Sequence, residues 1–595
     1  MVYFGGGSCN IGYQREDNDG DNFSVHIVEQ CLVKLSTKIN KKCIFASVSV
    51  FYRVVMKRFE IVLIYLSKIL LALSVAVVPF FAFAQSRPKS EDVRQLSKFN
   101  KIYGYVVGTY VEEVDMQPLV DKAIESMLTE LDPHSSYIRA KDMQHVQEQM
   151  EGEFSGIGVE FNLLRDTILV VNTIAGAPAE SVGVRPNDRI VTIDGENAVG
   201  MKRADIPSKL RGKRGSKVLI GVVRHGTEGV LEFEITRNNI PLNTLDAAYE
   251  IAKGVGYVKI NRFGRTTVDE FQKATSALGK LNGIILDLRG NSGGLLEQAI
   301  GLASHFLTEG TEVVSTEGRA MPKQVYHAHK GGYFSKGAVV VLVDEFTASA
   351  SEIVAGALQD WDRGVIVGRP SFGKGLVQRQ VTLNDGSALR LTVARYHTPT
   401  GRVIQRPYEE GKREEYFKAQ RERLIAQGAA ADTVAIAEMP TYKTLRNERT
   451  VRGGGGITPD VIIERDTVEV TPYLIKIIGR GVTAEYLYEY LDANRDLLKR
   501  DYPTFEQFRE KFQVSDDMLA AVAGKATAKG VELNSVEYER SKSFVRRQLK
   551  ALIARNLFSE SAYYEILNSE GDSVLNEGVR IATNWDKTGK KILGY

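Results

Sequence analysis

Between Val339 and Gln380 the chain reads VVVLVDEFTASASEIVAGALQDWDRGVIVGRPSFGKGLVQRQ, a pattern with few ways to fold. The apolar run Val339 to Val343 has the character of a strand buried on both faces of a parallel sheet. Ile353, Val354, Ala357, Leu358 and Trp361 then recur at helical spacing. A second apolar run, Val365 to Val367, returns as a strand, and LVQRQVTL alternates like a further one. Strand, helix, strand is a crossover unit, which gathers polar groups at the carboxyl ends of its strands. Ser349, Ser351, Asp360, Lys374 and Gln378 are the polar groups available there.

Three chemistries compete for these residues. Ser349 with Glu352 fits the S-x-x-E capping box, so the serine can simply start the helix, and Lys374 between two glycines can be a solvated turn residue. Gly368 to Gly375, GRPSFGKG, matches a phosphate-binding loop except at its last position, where Gly375 replaces the hydroxyl residue that would hold Mg²⁺. That loop must open a helix, and LVQRQVTL is strand-like. The third reading is a nucleophilic serine activated by a lysine. A serine hydroxyl needs a base, and a lysine serves only when desolvation keeps its amine neutral. With Phe372 and Leu376 beyond its flanking glycines, Lys374 has apolar neighbours to dry it. A strand beginning at Lys374 would put Gln378 on the same face. Its amide oxygen can orient the amine without adding a charge that would raise the amine's pKa.

ASASEIVAGALQD followed by GRPSFGKGLVQ closely resembles the C-terminal processing, or tail-specific, serine proteases. The resemblance runs from about Leu131 to Asp460. Its serine-to-lysine interval selects Ser349, not Ser351, as the partner of Lys374, and its glutamine falls on Gln378. Asp360 matches an aspartate near that family's site and is expected to support it. The resemblance implies a multidomain α/β protein. Its catalytic α/β domain would be similar to crotonase and Clp-protease folds, with an inserted PDZ domain and helical N- and C-terminal regions.

The flanking sequence fits that plan. With 595 residues there is room for several domains, and 77 Lys+Arg against 74 Asp+Glu offers no charge excess for nucleic acid. Residues 56–84 begin at a basic start, run through an apolar stretch and end in Ala82-Phe83-Ala84, the form of a cleaved signal peptide. The expectation is export to the periplasm or cell envelope, with 1–55 a spurious extension ahead of Met56. All three cysteines (Cys9, Cys31, Cys43) precede Met56, so neither a disulfide nor a thiolate metal site is expected, and no cofactor.

Residues 85–150 have helical periodicity and end at Leu131-Asp132-Pro133-His134-Ser135, a segment that also recurs in the family. His134 reads as a turn residue, since Lys374 already fills the base role. Residues 151–240 carry GAPA and GVRPNDRIVTIDG and resemble a PDZ domain. Gly156, Ile157, Gly158 and Val159 would form its carboxylate loop, with Arg211 bridging to the catalytic domain. The catalytic domain is expected over 241–466, interrupted by an insertion at 408–450. In it, RGNSGG lies between a strand and a helix, and the N–H groups of Gly293 or Gly294 with Ala350 are candidates for an oxyanion hole. Residues 467–595 are helical in pattern and would dimerise the chain or cover the site. The expected partners are protein C-termini as substrate, a second copy and an activating adaptor. The competing function is a non-catalytic PDZ adaptor that binds tails without cleaving them.

Overall fold

The computed structural model describes residues 90–330, 332–425, 439–465 and 468–595. The expected leader, residues 1–55, all three cysteines and the middle of the insertion lie outside the described residues. Helix Ser90–Thr109 belongs to a unit of its own and buries none of its residues. Met116–Tyr595 forms a second unit. Among the described residues no helix is long and apolar enough to cross a membrane.

The crossover predicted from the sequence sits at the centre of a six-stranded sheet. Its spatial order is Leu245–Ala252, Val255–Ile260, Gly283–Asp287, Ala338–Val343, Val365–Gly368, Val461–Ile462. The first pair is antiparallel and the rest parallel, with Val341 facing Ile366 and Leu286 facing Val341 across neighbouring strands. All six residues of Ala338–Val343 are buried, as expected of a strand covered on both faces. One face packs on helices Thr267–Ala277, Leu296–Ser304 and Ala350–Asp360 through Phe271, Ala299, Leu302, Val354 and Leu358. Burying each large aliphatic or aromatic side chain there contributes about 1.5–3 kcal/mol.

The other face is covered from an unexpected quarter. Helix Ser573–Thr583, near the end of the chain, lays Val574, Leu575, Ile581 and Ala582 against Ile285, Val340, Leu342 and Val367. Gly578 lies so close that a Cβ there would come 3.0 Å from Leu342. The C-terminal region is therefore not a body separate from a catalytic domain ending at 466: its last helices complete that domain's core. Its earlier helices, Pro472–Gly479 to Glu560–Leu567, share a core of their own built on Leu487, Leu491, Leu498, Phe508, Val545, Leu549 and Ile553.

A second sheet lies beside the site. Strand Ala388–His397 pairs antiparallel with Leu376–Thr382, with Glu312–Gly318 and with the short strand Ser136–Ile138 that follows the LDPHS segment. The PDZ region is an antiparallel sheet in the order Val159–Leu164, Thr167–Thr173, Arg189–Ile193, Lys217–Val223, Leu231–Thr236. Its core joins Ile168, Val170, Ile190, Ile220 and Ile235 to Ile206 and Leu210 of a short helix. Among the described residues Val159–Leu164 is an edge strand, paired only with Thr167–Thr173.

Candidate active site

The sheet places Ser349 six residues past Val343, at the N-cap of helix Ala350–Asp360, with φ 58° and ψ −117°. A non-glycine residue in that region carries strain of about 1–3 kcal/mol and persists only where its surroundings enforce it. The enforcement is visible. The N–H of Ala348 and the hydroxyl of Ser351 both donate to the Asn291 carbonyl, each at 3.0 Å. Asn291 is itself fully buried and donates through its side chain to the Ile260 carbonyl at 3.1 Å.

Glu352 is the hub of the site. It is fully buried, and its carboxylate accepts from the N–H groups of Ser349 (2.8 Å), Gly373 (2.7 Å) and Lys374 (2.9 Å) and from the Ser371 hydroxyl (2.5 Å). Burial pushes its pKa up, while these donors pull the other way. Three of the four are backbone groups that can only donate, so the ionised form satisfies them best. The S-x-x-E signal was thus a real cap, but its glutamate also reaches the lysine loop.

Lys374 does not begin the strand as expected. The strand starts at Leu376, and a register shift between Val377 and Gln378 turns Gln378 back. The Lys374 amine donates to Gln378 Oε1 at 3.2 Å, and Gln378 Nε2 donates to the His134 carbonyl at 2.7 Å. Burial lowers the Lys374 pKa and the Arg390 guanidinium lowers it further, against the opposing charges of Glu352 and Asp132. The buried Tyr396 phenol donates to the Lys374 carbonyl and lies beside Ser349. Among the described residues Ser349 and Lys374 make no direct hydrogen bond.

The LDPHS turn forms the outer wall. Asp132 accepts from the N–H groups of His134 and Ser135, both at 2.8 Å, and from the hydroxyls of Ser135 and Thr392. The His134 ring sits among Phe372, Tyr416 and Phe417, and burial lowers its pKa to about 4. Its carbonyl, not its ring, is the group wired to the site. Tyr416 and Phe417 belong to helix Arg413–Ile425, so part of the insertion folds over this wall.

At the RGNSGG turn the three glycine and alanine candidates divide. The Gly293 N–H is committed to Asn291 Oδ1 at 2.8 Å and so is unsuited to an oxyanion. The N–H groups of Gly294 and Ala350 have no acceptor among the described residues. A Cβ on Gly293 would lie 2.7 Å from Ser349 Cβ and 2.9 Å from the Ala350 nitrogen, so the turn abuts the serine directly. Asp360 is removed from this chemistry. It forms a fully buried ion pair with Arg402 at 2.5 Å and accepts from the Thr400 N–H and hydroxyl, tying the helix's far end to a turn.

Two further expectations change. The GRPSFGKG segment runs into a strand, not a helix, which removes the phosphate-loop reading. Arg211 does not reach the catalytic sheet. It pairs with Glu148 of helix Ala140–Glu151 at 2.5 Å and lies over Phe154 at 4.3 Å. In the expected carboxylate loop, Gly156 pairs with Asn238, and Gly158, at φ 79°, leaves no room for a side chain beside Ala177. The N–H groups of Ile157 and Gly158 have no acceptor among the described residues.

Sequence reasoning missed Tyr396 and Arg390, because each reaches the site from another strand and no local pattern marks it; Asn291 lay within the RGNSGG turn, but its hold on the Ser349 turn is a contact between distant segments.

Several known proteins and families resemble stretches of this chain. Residues 254–410 match the model of peptidase family S41, 169–224 that of a PDZ domain, and 81–142 that of an activating protease CtpB N-terminal domain. Residues 473–559 match a family of unknown function. The chain is 36% identical over 348 residues to the carboxy-terminal processing protease CtpB of Bacillus subtilis, covering 56% of this chain and 72% of that one. It is 38% identical over 319 residues to a carboxy-terminal-processing protease of Bartonella bacilliformis, covering 52% and 73%. With likeness of this extent, the chain belongs to peptidase family S41, among the carboxy-terminal processing proteases, and is a serine-type peptidase.

Proposed function

We propose that this peptidase is an endopeptidase that works through a Ser349–Lys374 pair on exported proteins, which its PDZ domain recognises by their C-terminal tails. Ser349 attacks the peptide carbonyl as the neutral Lys374 amine takes its proton. The resulting ammonium then protonates the leaving amine, and water hydrolyses the acyl-enzyme by the same route. For attack the hydroxyl turns from Tyr396 to the amine. Gln378 orients the amine, and the N–H groups of Ala350 and Gly294 receive the oxyanion. Asp360 supports the helix from its far end.

The observation that carries this reading is the desolvated Lys374 amine, held by a neutral amide instead of a carboxylate. The N–H groups of Ile157 and Gly158, which have no acceptor among the described residues, and the adjoining strand, an edge among those residues, support capture of a chain terminus by strand addition. Location in the periplasm or envelope rests on the leader reading of residues 56–84. The exposed apolar side chains Ile475, Ile478, Leu533 and Val536 favour a homodimer through the C-terminal region, which sedimentation tests.

The test is cleavage of an unstructured protein with an apolar C-terminus. Ser349→Ala and Lys374→Ala should each abolish it, and so should Lys374→Arg, because guanidinium keeps its proton. Full activity in either alanine variant would remove the pair from the mechanism. Tight tail binding with no turnover by the unmodified protein would return the adaptor reading.

A further inference from the structure

The helices over 473–559 have no function assigned to them, yet one of their side chains sits where an arginine rarely does. Arg495, on helix Val482–Asp501, is only 6% exposed, and among the described residues no carboxylate forms a salt bridge with it. Burial lowers its pKa to about 10. Its donors go to both sides of a boundary. One goes to the Asn556 carbonyl of helix Ser535–Leu557 at 2.8 Å. Two cross to the PDZ sheet, reaching the Val171 carbonyl at 3.2 Å and Asn187 Oδ1 at 3.3 Å.

Both PDZ acceptors are made available by irregular backbone. Val171 is the residue left over at a register shift, since Glu160 faces Asn172 and Phe161 faces Val170. A bulged residue has no ladder partner, so its carbonyl is free to serve elsewhere. Asn187 has φ 76°, a conformation Asn tolerates better than most residues, and its side chain also donates to the Leu491 carbonyl at 3.2 Å. Around this centre lie ion pairs between Arg189 and Asp492 and between Arg165 and Glu489 (3.7 Å). The bulge lies on the strand directly behind the free edge Val159–Leu164.

The next helix, Glu560–Leu567, packs into the same core, and it and the segment after it hold the catalytic sheet. Tyr564 donates to Asp246 at 2.9 Å and Asn568 to the Tyr249 hydroxyl at 2.8 Å. Asp572 pairs with Arg289, the first residue of the RGNSGG turn, at 2.8 Å, and the helix that it caps enters the sheet core.

We propose that the C-terminal helices are a brace that fixes the PDZ domain against the catalytic sheet through the Arg495 contact, so that a tail bound at the PDZ edge is delivered to Ser349 at a set position. The delivery step rests on the proposed endopeptidase reading; the brace does not. A buried guanidinium is stable only with its acceptors in place, so the contact behaves as a latch with two engaged sides and not as a sliding surface.

The experiment uses the full chain and two independent readouts. Hydrogen exchange is measured over 165–193 and 482–501 in the unmodified protein, in Asp492→Arg, in Arg189→Asp, in the double swap Arg189→Asp/Asp492→Arg, and in Arg495→Met. Each single variant should exchange faster in both segments. The double swap should return towards the original, which a simple folding defect would not do. Cleavage is then compared for two peptides of one sequence, ending in a free carboxylate or in an amide. The free-tail peptide should be favoured by about tenfold or more, the gain expected of a tethered second site. Asp492→Arg and Arg495→Met should collapse that preference and leave the amide peptide unchanged. Unaltered exchange in Arg495→Met would overturn the brace, as would a preserved tail preference once exchange shows the contact loosened. If the unmodified protein shows no tail preference, the PDZ reading fails, and exchange alone still decides the brace.

Discussion

The backbone N–H groups of Ser349 and Lys374 donate to the same oxygen of Glu352, at 2.8 and 2.9 Å. The proposed nucleophile and base stand on different elements, one on a helix N-terminus and one ahead of a strand. A single carboxylate oxygen therefore fixes their separation. Glu352→Gln keeps the shape but presents an amide N–H₂ to groups that only donate. It should lower kcat by about 10²-fold, the scale of a misplacement near 1 Å, with KM little changed. The Glu352 charge also opposes the lowering of the Lys374 pKa, so the variant's pH–rate midpoint should move to lower pH. A midpoint that stays in place would make Glu352 a cap and nothing more.

As the proposed base, Lys374 would work only when neutral, so kcat/KM should rise with pH through its folded pKa. That midpoint should fall below the range of a free lysine, because burial and Arg390 both disfavour the ammonium. Other groups acting on it are Glu352 and Asp132, which favour the ammonium, and His134, which is neutral in this range. Replacing Arg390 with Met removes a cation and should shift the midpoint upward. A pH series of initial rates measures this, and a downward shift would contradict the assignment.

The same depression has a signature in stability. A lysine whose folded pKa lies below its unfolded value binds fewer protons when folded. It therefore destabilises the protein fully at pH below the folded value, and the penalty fades as pH rises towards the free-lysine range. Lys374→Met removes that penalty. The inactive variant should melt at a higher temperature near neutral pH, with the gain shrinking in alkaline buffer.

Much of this site was legible in the sequence, for a physical reason. Ser349 belongs to a crossover whose periodicity sets strand, helix and strand in order, while its pairing with Lys374 and Gln378 comes from the family resemblance and not from spacing alone. The same periodicity mistook where the second strand begins, because a bulge after Val377 breaks the alternation that a period of two assumes. Arg390 and Tyr396 come from a strand paired to that one, and register between strands is not written in either alone. The C-terminal helix that covers the sheet reads as an ordinary amphipathic helix. Nothing in 573–583 says which of two apolar surfaces it meets.

Asp360 and Arg402 test the boundary between support and chemistry. Both are fully buried and paired at 2.5 Å. Truncating one member leaves the other charge buried alone, at a cost of about 3–5 kcal/mol. Asp360→Ala should show a lower melting temperature by differential scanning calorimetry. At a temperature where it remains folded, its pH–rate midpoint should match the original. A moved midpoint would bring Asp360 into the catalytic wiring.

At Gly293 the backbone beside Ser349 leaves no room for a side chain. At φ 99° it lies in a region favourable to glycine, and an added Cβ would meet the Ala348 carbonyl at 2.7 Å and Ser349 Cβ at 2.7 Å. These are parts of the turn that holds the serine's strained conformation, so neither can yield without moving the hydroxyl. The Ala350 nitrogen, 2.9 Å from the same added atom, would be pushed as well. Gly293→Ala should therefore lose about 10²-fold or more in kcat, the scale seen when an oxyanion donor is lost. Binding of a C-terminal peptide should be unaffected, because the PDZ edge belongs to another sheet. Calorimetric titration with the tail peptide beside a turnover assay separates the two. Equal loss in binding and turnover would mean that the substitution unfolds more than the turn.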